Sequence, residues 1–132
     1  MYTILLYPAL FIGGGIFGWI LDTINRSYIA RRYASGTLIP FFSIIYGIGA
    51  VMLYLFFNFG NISFPWNVMV GTVLCVALEF LGGIVSLLLF RRRFWDYSAS
   101  RFNLYGFIDL EHAFYWFVLT ILYMLTYGLL KY

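Results

Sequence analysis

Four long apolar runs, separated by three shorter connecting segments, dominate the chain. The runs cover residues 2–24, 37–59, 66–90 and 104–130. Each is at least as long as the roughly 20 residues a helix needs to cross a hydrocarbon core. None alternates apolar and polar positions in the short segments of an outer-membrane barrel. A helix satisfies its own backbone in hydrocarbon, so each run predicts a transmembrane helix. The first run lacks a basic leading region and a small-residue cleavage site, so it reads as a retained helix rather than a signal peptide. The expected fold class is an all-α membrane protein. It forms a single transmembrane helical domain over residues 1–132, built as a four-transmembrane-helix bundle.

The connecting segments predict orientation. Arg26, Arg31 and Arg32 lie in segment 25–36, and Arg91, Arg92, Arg93 and Arg101 lie in segment 91–103. Segment 60–66 carries no charge. Basic loops stay in the cytoplasm. Loops one and three are therefore expected inside, with loop two and both termini outside (N-out/C-out). Only Lys131 departs from the pattern. The expected location is the cell's inner or plasma membrane.

Composition agrees with this reading. Hydrophobic residues make up 64% of the chain and charged residues 10%. A soluble domain is nearer half apolar and a quarter charged. The excess apolar surface of so small a chain needs lipid to cover it. The net charge of +3 sits beside apolar spans. It therefore points to anionic lipid headgroups rather than nucleic acid. Cys75 is the sole cysteine, so no intrachain disulfide exists.

Polar residues within the runs are the candidate chemistry. Glu79 falls near the middle of the third run, where a charged side chain costs roughly 3 kcal/mol or more. Thr72, Cys75, Gly83 and Ser86 share its face at helical spacing. It is read either as an interhelical hydrogen-bonding group or as a proton- or substrate-handling one. Asp22 ends the first run and is expected to pair with Arg26 or the third-loop arginines. Gly14 and Gly18 form a small-xxx-small pair that lets a second helix approach. Tyr46, beside Gly47, is a candidate donor to Glu79. In the fourth run His112, Trp116, Thr120, Tyr123 and Tyr127 form one stripe, with Asp109 and Glu111 at its start. Asp109 there suits a helix N-terminus. In the third loop Arg91, Arg92 and Arg93 suit phosphate oxygens or anchor topology. Asp96 is placed to orient an arginine or cap a short helix.

The chain has no GxxxxGK[ST] phosphate loop, so it does not hydrolyse ATP alone. No Cys/His cluster argues for a metal, no cofactor is implied and no catalytic constellation is read, which makes an enzyme the less favoured class.

The residues resemble a known family. Glu79-Phe80 with Gly83, then Trp95-Asp96-Tyr97-Ser98, Asn103, Gly106 and Ile108 are similar in type and order to the ABC-transporter type IV permeases. Gly18-Trp19 followed by Asp22, where the family has Glu, and Ile45-Tyr46-Gly47 match its first two helices. Leu110-Glu111 looks more like its small animal transmembrane relatives. The resemblance covers roughly residues 11–118. The family's Gly-Pro-x-x-Pro is replaced here by Ile39-Pro40-Phe41-Phe42-Ser43-Ile44. Asp109 stands where an uncharged residue is usual.

Three readings follow. A small permease or transporter subunit would use Glu79, Asp22, Tyr46, Asp96, Tyr97, Asn103, Glu111 and His112 as substrate or ion contacts. Four helices rarely enclose a path, so this reading implies a homo-oligomer or a partner membrane subunit, with a separate ATPase. A lipid-headgroup-binding protein or lipid-modifying enzyme would hold an anionic lipid on Arg26, Arg91, Arg92, Arg93 and Arg101. A scaffold would use its polar residues only to join helices, and a dry, packed Glu79 would favour it.

Overall fold

The computed structural model describes residues 2–130, with side chains over 4–129. Lys131 lies outside the described residues. Four helices are present: α1 (Tyr2–Ala30), α2 (Ile44–Phe59), α3 (Trp66–Phe90) and α4 (Leu110–Leu130). A two-stranded antiparallel hairpin, β1 (Asn103–Leu104) and β2 (Ile108–Asp109), precedes α4. Three helices are long and apolar enough to cross a membrane, over Ile4–Ala30, Trp66–Phe90 and Leu110–Leu129. The fourth, α2, has 16 residues. At 1.5 Å per residue that is about 24 Å, short of a hydrocarbon core of roughly 30 Å.

Three boundaries differ from the hydropathy runs. The first helix continues past residue 24 to Ala30, carrying Arg26 with it. Asp22 and Arg26, one turn apart, form an ion pair at 2.9 Å that suits the helical extension. The second helix starts at Ile44 rather than 37. Pro40 lacks an N–H and restricts Ile39, and Phe41 adopts a left-handed φ of 63°. A turn results, closed by Phe42 N–H donating to Ile39 O at 3.2 Å. The fourth helix starts at Leu110 rather than 104, because the hairpin occupies the intervening residues.

Contacts group the chain into two compact units, Met1–Met52 and Leu53–Tyr132. In the first, α1 presents glycines to the start of α2 and the turn before it. A Cβ on Gly14 would lie 2.5 Å from Ala50 Cβ, and one on Gly15 2.1 Å from the Phe42 ring. The expected small-xxx-small face is thus the contact between these elements. Trp19 packs edge-on against Phe41 at 5.0 Å and donates to Ser35 Oγ at 3.2 Å.

In the second unit α3 and α4 run antiparallel. The buried face of α3 is Val68, Gly71, Cys75, Glu79, Gly83 and Ser86, spaced by three or four residues. Against it stand Met124 at Asn67, Thr120 at Gly71, Trp116 at Glu79 and Phe107 at Gly83. Tyr123 and Tyr127 meet the last turns of α2, where Tyr127 donates to Asn58 Oδ1 at 3.0 Å and both rings stack on Phe57. The stripe predicted on α4 therefore faces inward. Its opposite side leaves Leu122, Leu125 and Leu129 exposed, as lipid contact requires.

The hairpin turn places Tyr105 at φ 54° and Gly106 at φ 71°. Two successive left-handed residues match the right-handed twist of the strands. A Cβ on Gly106 would lie 2.5 Å from Ser98 Oγ and 2.6 Å from Asp96 Oδ1. Gly106→Ala is therefore expected to cost about 1–3 kcal/mol from conformation and crowding together. A thermal melt in detergent indistinguishable from wild type would contradict this.

Candidate functional site around Glu79

Glu79 lies 11 residues before the end of α3. That is roughly 16 Å along the helix axis. The loop after α3 nevertheless reaches it. Phe107 packs on Gly83 and edge-on against Phe80 at 5.7 Å, fixing the hairpin against the helix. Trp95 donates its indole N–H to Phe107 O at 2.8 Å, and Tyr97 N–H donates to Gly106 O at 2.9 Å. These bonds aim Tyr97 at the carboxylate. Its hydroxyl donates to Glu79 Oε1 at 2.9 Å. From α4, Trp116 Nε1–H donates to Glu79 Oε2 at 2.8 Å. Each carboxylate oxygen is thus held by a different segment, and Glu79 is 7% exposed.

The cluster continues beyond Tyr97. Its ring stacks on His112 with centroids 3.9 Å apart and planes inclined by 11°. Asp109 Oδ1 accepts from His112 backbone N–H at 2.8 Å, which caps the first turn of α4. The same oxygen lies 2.6 Å from His112 Nδ1. Asp109 is buried, so this bond orients the imidazole. A buried carboxylate, a phenol, an imidazole and a second carboxylate form one contiguous set.

The other predicted residues sort differently. Asp96 neither caps a helix nor makes a close arginine pair: Arg93 Nη1 is 4.0 Å away. Its Oδ1 accepts from the Ser98 hydroxyl and, at 3.0 Å, from Ser98 N–H. Those bonds hold the Asp96 carboxyl below the usual carboxylate range, so the turn keeps them at neutral pH and loses them only in acid. Asn103 fastens the hairpin, donating to Ser100 O at 2.7 Å and accepting from Gly106 N–H at 2.9 Å. Glu111 accepts from Tyr115 OH at 2.6 Å. Asp22 is engaged with Arg26, and Tyr46 packs its ring on Gly18.

The arginines do not act as one patch. Arg91 ends α3 in a left-handed conformation. Arg93 donates to Tyr105 O at 2.8 Å and covers the Phe107 ring at 4.4 Å, which makes it part of the loop's scaffold. Arg92 lies over Phe94 and Arg101 over Phe102, at 4.6 and 5.2 Å. Among the described residues no group of His, Cys, Asp and Glu is arranged to hold a metal ion.

Trp116 and Asp109 were not among the site residues that the sequence singled out. Trp116 falls four positions after His112 on the same stripe, and Asp109 three before it at a capping position. Spacing alone carried both signals. Compared with known proteins, the chain matches the family described as "Putative ABC-transporter type IV" over residues 9–130. No curated protein and no solved structure matches it.

Proposed function

The chain belongs to the ABC-transporter type IV family, and from that premise we propose that it is the membrane subunit of a transporter in which Glu79 is the ion- or substrate-contacting group. The family and the apolar helices support an integral membrane, transporter-like protein. The observation that carries the Glu79 assignment is the loop that descends along α3 to bond it. That loop links a carboxylate at mid-helix to His112 and Asp109 at the arginine-bearing end. Intramembrane carboxylates mark ion pathways far more often than soluble ones do. Tyr97 donates a hydrogen bond to the carboxylate, and Asp109 holds His112 in one orientation against the Tyr97 ring.

In this reading α2 also crosses the membrane, extended by its apolar flanks, and the arginine-bearing ends face the cytoplasm. Without a phosphate loop of its own, the subunit draws ATP hydrolysis from a separate protein. It works with further copies or a partner membrane subunit to enclose a path.

The test is proton flux into proteoliposomes loaded with a pH-sensitive dye. Glu79→Gln is expected to reduce flux by about a hundredfold, the low end of what a positioned acid–base group contributes. Equal flux through both proteins removes Glu79 from the path. One observation favours a scaffold instead: Glu79 is buried with both oxygens satisfied. Under that reading the same substitution lowers stability and leaves flux untouched.

A further inference from the structure

An open groove of about 730 Å³ lies beside the start of α4, lined by Ser100, Arg101, Phe102, Leu110, Glu111 and Phe114 among others. We propose that it binds one zwitterionic phospholipid of the phosphatidylethanolamine class. This inference stands apart from any role of Glu79 in transport.

Three observations combine. First, opposite charges line the same groove without neutralising each other. Among the described residues the ion pairs are Arg26–Asp22, Arg93–Asp96 and His112–Asp109, so Arg101 and Glu111 are not within 4.0 Å. Each is nonetheless held in place, Arg101 over the Phe102 ring and Glu111 by the Tyr115 hydroxyl. A cation and an anion that line one groove and are not paired with each other suit a ligand that carries the complementary pair.

Second, the depth is right. Leu110 and Glu111 open the apolar span of α4, at the level where headgroups meet hydrocarbon. Third, the groove leads into a lipid-facing stripe. Leu110, Phe114, Val118 and Leu122 follow at four-residue steps on α4, then Leu125 and Leu129, all exposed. A helix places such residues one above another, which gives an acyl chain a continuous track.

The chemistry selects the headgroup. A phosphodiester accepts from the Arg101 guanidinium, and an ethanolamine ammonium donates to the Glu111 carboxylate. Phosphatidylcholine has the positive charge but no N–H to donate. Phosphatidylglycerol satisfies Arg101 but offers Glu111 only neutral hydroxyls, with no positive charge to balance the carboxylate. The arginines taken alone suggest an anionic lipid; the acid in the groove reverses that preference.

The test is native mass spectrometry of the full chain in detergent, equilibrated with equal amounts of palmitoyl-oleoyl phosphatidylethanolamine, phosphatidylcholine and phosphatidylglycerol. Wild type is expected to retain one phosphatidylethanolamine in preference to the others. Arg101→Ala should weaken its retention roughly tenfold, the loss of one charge-assisted hydrogen bond. Glu111→Gln should abolish the preference over phosphatidylglycerol, while Arg32→Ala, outside the groove, should change nothing. If Arg101→Ala fails to fold, the Glu111→Gln preference decides alone. Equal retention of all three lipids, preferred retention of phosphatidylglycerol, or an unchanged preference in Glu111→Gln overturns the proposal.

Discussion

Trp116→Phe is expected to destabilise the protein by about 2–3 kcal/mol. Phenylalanine keeps most of the ring's packing but removes the indole N–H. Glu79 Oε2 then loses its donor inside the α3–α4 contact, where water does not replace it. A buried polar group stripped of its partner costs about 1–3 kcal/mol, and a charged one more. Tyr97→Phe should cost less, because the Tyr97 bond is only partly buried and solvent or headgroups can reach the loop. Adding Glu79→Leu to Trp116→Phe should restore part of the loss, since the stranded acceptor disappears. Thermal unfolding in detergent micelles, followed by far-UV circular dichroism, would check the set. A double variant as damaged as the sum of the singles would show that the bond does not couple the helices.

Gly18→Leu is expected to have the second large effect. A single Cβ there would sit 2.0 Å from Tyr46 Cγ and 2.1 Å from Tyr46 Cβ. Those atoms belong to the root of the tyrosine side chain and cannot swing aside. The helices must separate, and overpacking of this kind costs about 1–3 kcal/mol or more. Close backbone approach is also a main source of helix association in lipid, where the hydrophobic effect is absent. Gly13 is the internal control, since a Cβ there meets nothing within 4 Å. Gly13→Leu should leave the melting temperature unchanged or raise it slightly. Equal losses at the two positions would mean that helix propensity, and not the α1–α2 contact, governs this segment.

Hydropathy made the helices legible because lipid demands both length and apolarity of a spanning segment. It failed at residues 37–43 and 104–109. Leu38, Ile39, Phe41 and Phe42 are as apolar as any helix residue, yet Pro40 and the left-handed Phe41 make a turn. Leu104, Phe107 and Ile108 belong to a hairpin that rests on α3. An apolar residue reads the same whether it faces lipid or a neighbouring helix, so periodicity could not separate these cases. At the site, the expense of placing Glu79 at mid-helix was visible from its position alone. Which donors met it was not, because Tyr97 and Trp116 arrive from 18 and 37 residues away. For the seven arginines, the sequence predicts a shared side. It did not show that Arg93 is used internally on Tyr105 and Phe107 while Arg101 lines a groove.

The separation of Glu79 from its donors also orders the protein's biogenesis. When α3 emerges from the ribosome, neither the Tyr97 hydroxyl nor the Trp116 indole has yet followed it out. The acid meets the insertion machinery alone, and its apolar neighbours on α3 must outweigh it. Its second hydrogen bond forms only once α4 has followed, so α3 and α4 mature as a pair. A chain that ends between residues 97 and 116 would therefore carry the Glu79 carboxylate with one donor in place of two.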